Sequence, residues 1–121
     1  MSSLYSIARE MMDLSHTMLE ALDHINRRMA AGHLESTFYL FQDILEAFTL
    51  VQSLLEQLPE EQGITLEKVS LNFQNCLDLM LLAYQSNDLE KAHVELQYDL
   101  LPNFIKWQYE LEKGLKPYKD S

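Results

Sequence analysis

Three groups of residues in this chain have the types and spacing that chemistry would use. Glu90-Lys91-Ala92-His93 sets a carboxylate and an imidazole three residues apart, as in carboxylate-bridged bundles that hold two iron or manganese ions. Such a centre draws carboxylates from four helices and needs a second Glu-x-x-His pair. The equivalent place in the first half reads Glu35-Ser36-Thr37-Phe38, and phenylalanine cannot ligate. Helix capping accounts for Glu90, and His93 reads as a core or boundary histidine with a hydrogen-bond partner. His16, Glu20 and His24 are spaced four apart, so they share a helix face that suits zinc. They lie off the apolar seam, lack a fourth ligand, and read as a solvated polar face. Cys76 is a lone thiol with no basic neighbour in sequence to lower its pKa, which fits a buried core residue better than a nucleophile. Glycine-rich phosphate loops, paired cysteines and a Gly-x-Ser-x-Gly elbow are absent. The expectation is a protein with no catalytic residue, no metal and no cofactor; a metal-binding bundle is the weakest alternative.

The elements that would position these groups are announced by an internal repeat. Gly32-His33-Leu34-Glu35 answers to Asn87-Asp88-Leu89-Glu90 at an offset of 55 residues. Upstream, Leu14, Met18, Ala21, Leu22 and Ile25 fall opposite Val69, Phe73, Cys76, Leu77 and Met80; downstream, Phe41, Leu45 and Leu50 fall opposite Leu96, Leu100 and Ile105. Apolar meets apolar at helical spacing on both sides of a turn signature, which predicts two helical hairpins in tandem. The fold class is all-α, an antiparallel four-helix bundle forming one domain over 1–121, with repeat halves at about 3–58 and 64–114.

Leu4, Ile7, Met11, Leu14, Met18, Leu22, Ile25 and Met29 alternate spacings of three and four, a first helix over roughly 3–30 that ends at Gly32. Glu35 is placed to cap the second helix, about 34–58, whose apolar arc is wider than one seam needs. Pro59 stops it, and Glu60-Glu61-Gln62-Gly63 reads as a polar connector. A third helix runs from about 64 to 86, with Thr65 as a candidate N-cap. A capping-box-like pair, Asn87 and Glu90, opens the fourth, with the seam Leu89, His93, Leu96, Leu100, Phe104, Trp107 and Leu111. Pro102 predicts a kink near Leu100-Leu101 that would wrap Phe104, Ile105 and Trp107 over the end of the bundle. The tail 115–121, beyond Gly114, is expected to fray.

Composition narrows the work such a bundle can do. Nearly half the residues are apolar and the net charge is −10, with no lysine or arginine between Arg28 and Lys68. An acidic body disfavours nucleic acid and anionic membrane as partners, because both need clustered cations. With one cysteine, no secretory leader pattern and no run of eighteen apolar residues, the expected location is the cytoplasm. Tyr39, Leu40, Leu50, Leu54, Phe104 and Trp107 exceed what one seam can hide, and are the candidate partner-binding residues.

Met29-Ala30-Ala31-Gly32-His33-Leu34-Glu35, the run from Phe41 to Leu58, and Asn87 to Trp107 resemble the flagellar export chaperones, specifically the flagellin chaperone family of small helical bundles. The likeness covers about half the chain. It implies a cytosolic protein that binds an amphipathic helical segment of a client and keeps it unpolymerised until export. The residues by themselves point to a non-enzymatic interaction module or adaptor with an apolar groove rimmed by acid. The alternative is a homodimeric structural bundle, in which the broad arc of helix two is covered by its copy across a two-fold axis.

Overall fold

A computed structural model describes residues 3–59 and 63–119 of the protein. The connector residues Glu60, Glu61 and Gln62 and the tail residues Asp120 and Ser121 lie outside the described residues. The architecture is the expected all-α four-helix bundle. Helix α1 spans Leu4–Ala30; α2, Phe38–Leu55, is entered through a 3-10 helix at Glu35–Thr37; α3 spans Ile64–Gln85. The fourth rod has three parts: α4, Leu89–Glu95; a π-helical turn, Leu96–Leu100; and α5, Leu101–Lys119. No described helix is long and apolar enough to cross a membrane.

Contacts at both ends of the rods fix the antiparallel order. Asn26 meets His93 while Ser15 meets Gln108, and Thr37 meets Tyr84 while Phe48 meets Phe73. Helix α1 therefore runs against α4–α5, and α2 against α3. Backbones approach closely between α1 and α2, α3 and α5, and α1 and α5, which leaves α2 and α5 at opposite corners.

The repeat is present in the backbone. Gly32 (φ 93°) and Asn87 (φ 52°) are the two described residues in the left-handed region, and each closes the helix before it in the same way. The amide of Gly32 donates to the Met29 carbonyl and that of His33 to Arg28; the amide of Asn87 donates to Tyr84 and that of Asp88 to Ala83. These are paired Schellman caps, which satisfy carbonyls that the helix ends would otherwise leave open. The halves then diverge. Asp88, not Asn87, caps α4, its Oδ1 accepting from the Lys91 amide at 3.0 Å, because Asn87 is already spent on ending α3. The entry to α2 has no side-chain cap from Leu34 or Thr37, and Glu35 sits inside the 3-10 helix. Thr37 tightens that entry by donating to the Leu34 carbonyl at 2.6 Å. At α3 the N-cap is Gly63, ahead of Thr65.

Pro102 reshapes the last rod without breaking it. Proline cannot donate to the carbonyl four residues back, and the chain meets this by wrapping one extra residue into the preceding turn. There the Leu101 amide reaches the Leu96 carbonyl, five residues away. Beside this turn the Asp99 carbonyl accepts from Asn103 Nδ2 at 2.8 Å and from the Cys76 thiol at 3.7 Å. The extra residue moves the buried register from an offset of 55 to 56: Phe41 still answers to Leu96, but Ile44, Phe48 and Val51 answer to Leu100, Phe104 and Trp107. Leu45 and Leu50, expected opposite Leu100 and Ile105, are half-buried and exposed in α2.

Two further expectations are corrected by packing. Phe104 and Trp107 do not cap the bundle's end; they are fully buried with Phe48 and Phe73, and Trp107 stacks on Phe73 at 5.5 Å. Nor does the tail fray at Gly114, since α5 runs to Lys119 with Leu115 and Tyr118 buried. Each such side chain gains about 1.5–3 kcal/mol by burial, enough to offset about 1 kcal/mol for Gly114 and about 3 for Pro117.

Candidate functional site

The groups with chemical spacing do not assemble. His16, Glu20 and His24 are exposed on α1, and among the described residues no three of His, Cys, Asp and Glu gather to hold a metal ion. His93 Nε2 hydrogen-bonds with Asn26 Oδ1 at 3.0 Å, joining α4 to α1, with Gln97 Nε2 also donating to that oxygen at 3.4 Å. Cys76 is buried, and its thiol pKa is pushed up first by desolvation and then by the charges of Asp99 and Glu95. Glu95 is itself pushed up by burial and by Asp99 one turn along.

The feature that stands out is the seam between α2 and α3. Large rings span it: Tyr84 packs on Phe38 and Phe41 at 5.2 and 5.0 Å, and Phe48 meets Phe73 edge-on at 5.1 Å. The Tyr84 hydroxyl and Thr37 Oγ1, 2.8 Å apart, lock the end next to the turns. Burial raises the Tyr84 pKa, moderated by that hydrogen bond. Rings held face to edge keep the two backbones apart, and past Phe48 nothing as large fills the gap.

What results is an open groove of about 580 Å³. Its apolar walls are Phe48, Leu55 and Leu58 on one side and Leu66 and Leu71 on the other, with Ser70 at the buried level and Glu56 and Glu67 exposed at the mouth. Two glutamines, Gln52 and Gln74, line it as well. Gln52 Oε1 is buried without a hydrogen-bond partner among the described residues, an acceptor that desolvation makes costly to leave open. Leu71 is 61 % exposed, so the apolar wall continues out onto the surface.

Of the six candidate partner-binding residues, the structure groups only some. Tyr39 and Leu50 are exposed three turns apart on the outer face of α2, and Leu40 is half-buried. Leu54, Phe104 and Trp107 are buried in the core and offer no surface, because the π turn rotates the last two inward. The groove residues escaped the sequence reading because Leu55, Leu58 and Leu66 carry ordinary core spacing. A usable signal was present: aromatics at Phe38, Phe41 and Phe48 face others at Phe73 and Tyr84, and so much ring volume on facing helices forces them apart.

A family model described as Domain of unknown function (DUF8042) matches residues 6–110, which reach from the first turn of α1 well into α5. No curated protein matches the chain, and no solved structure does.

Proposed function

On the premise that the chain belongs to the DUF8042 family, a domain of unknown function, we propose that it is a non-enzymatic cytoplasmic adaptor that takes an amphipathic helix of another protein into the α2–α3 groove. The observation that carries this reading is the groove itself, apolar within and acidic at its mouth. Its volume has room for a few large apolar side chains but not for a whole helix. A partner helix therefore lies across the mouth with its apolar face inward, the helix-in-groove mode of recognition. Basic residues flanking that face meet Glu56 and Glu67, and a donor on the partner satisfies Gln52 Oε1. An export chaperone that shields a helical client segment is the job that fits this arrangement and the resemblance noted in the sequence.

Affinity capture of the tagged protein from its native cytosol, with mass spectrometry and a mass determination of the purified species alone, tests the proposal. One dominant co-purifying protein is expected. Its helical segment should bind the pure chain more weakly as salt rises and lose at least tenfold affinity to Leu71→Glu. A segment that binds the variant as well as the parent protein, or no partner at all, overturns the groove as the site.

A further inference from the structure

A second surface pairs the outer faces of two helices at opposite corners of the bundle. The outer face of α2 presents exposed Tyr39, Asp43, Glu46 and Leu50 in a narrow stripe, in a stretch of chain that has no lysine or arginine. The outer face of α5 presents Ile105, Lys106, Tyr109 and Lys113, also exposed, with Lys116 beyond them. Tyr39 and Tyr109 are 58 % and 65 % exposed, and Leu50 and Ile105 are 42 % and 57 %. At 1.5 Å rise per residue the α2 stripe is about 16 Å long, and the α5 stripe reaches about the same length when Lys116 is included. One carries acids between an aromatic and an aliphatic residue, and the other carries bases beside the same pair of types. Asp43, Glu46, Lys106 and Lys113 find no ion-pair partner among the described residues. Glu112, the acid on the edge of the α5 stripe, already has an interaction within the chain.

We propose that these faces dock on one another between copies, the α5 face of one molecule on the α2 face of the next. The occupant is a second copy because the chain itself holds both complementary halves, in charge, length and apolar content. Since α2 and α5 are at opposite corners of the bundle, one contact leaves one free face on each partner, α2 on the first and α5 on the second. The association is therefore heterologous and head-to-tail, adding copies until a ring closes, and is distinct from a two-fold dimer. It is held by exposed charge, so it is weak and salt-sensitive.

Sedimentation velocity over a concentration series tests this with the full chain. At roughly 0.1 M salt, where screening acts over about 10 Å, the average mass should climb past that of a dimer. At roughly 1 M salt, with screening near 3 Å, the chain should return to monomer. Asp43→Lys/Glu46→Lys and Lys106→Glu/Lys113→Glu should each stay monomeric alone, with at least tenfold weaker association and unchanged helicity. An equimolar mixture of the two should assemble again, a rescue that misfolded variants could not give. A monomer at every concentration in low salt, a closed dimer, or assembly indifferent to both charge reversals overturns the proposal.

Discussion

Two seams of this bundle are built on opposite principles. Where α1 meets α4–α5, short and polar side chains lie between the rods: the Gln108 carboxamide donates to Ser15 Oγ at 3.3 Å, Asn26 meets His93, and the backbones come close. Where α2 meets α3, phenylalanines and a tyrosine do the bridging and the backbones stay apart. The comparison is sharpened by Ser15 and Ser70, which are repeat partners and both buried. One is enclosed in the narrow seam and the other lines the groove. Side-chain volume at the interface, more than apolarity, decides whether a seam closes or leaves a cleft.

The largest test removes the ring on which the aromatic bridge rests. Trp107→Ala deletes the centre of the Phe48, Phe73 and Phe104 cluster and should cost about 3–5 kcal/mol, read as a fall in denaturant midpoint. A loss under about 1 kcal/mol would mean that rings do not hold the wide seam. The paired serines come next: Ser15→Leu should overpack the narrow seam at about 1–3 kcal/mol. Ser70→Leu has groove volume to enter and should cost less than Ser15→Leu, while weakening partner binding. Equal costs would erase the contrast.

A smaller effect belongs to the locked end of the wide seam. Thr37→Val breaks the bond to Tyr84 and should cost about 1 kcal/mol by thermal unfolding. With its hydroxyl raised above the ordinary 10.0, Tyr84 stays neutral in the folded protein while the unfolded chain ionises. Its contribution is thus complete below the ordinary value and lost as pH rises through the raised one, a decline that Tyr84→Phe should remove. The smallest effect lies where α4 passes into the π turn. Glu95→Gln relieves the repulsion from Asp99 and should gain about 0.2–0.5 kcal/mol at neutral pH. Because the Glu95 pKa is raised, the parent protein should lose stability as pH climbs from the ordinary 4.5 through the raised value; the variant's curve should be flatter there.

Much of the fold was written in the spacing of apolar residues. The seam of α1 from Leu4 to Met29 is buried as expected apart from exposed Leu4 and half-buried Leu14, and both turns close at the repeat's matching positions. Two things were not legible. Pro102 announced a disturbance, but whether a helix answers by bending or by widening depends on what packs around the turn, and Cys76, which meets the Asp99 carbonyl there, comes from a helix 23 residues earlier. Fraying is expected beyond Gly114, but Leu111, Leu115 and Tyr118 continue the buried spacing and win by tertiary burial. Of the six candidate surface residues, Tyr39 and Leu50 are exposed, as residues in excess of one seam must be. The groove was missed because it comes from the width between two helices, a quantity that neither helix carries alone.

The hydrogen bond from Thr37 to Tyr84 gives the wide seam a direction in time as well as in space. With one end latched and the other opening into the groove, thermal opening of α2 from α3 should behave as a wedge, widest at Leu55 and Leu66. Backbone amides should then exchange with solvent in a gradient, slow near Phe41 and fast toward Leu55, whereas α1, packed on both neighbours, exchanges slowly throughout its middle. A partner helix entering the groove would stop that breathing, and the gradient along α2 should flatten when it binds.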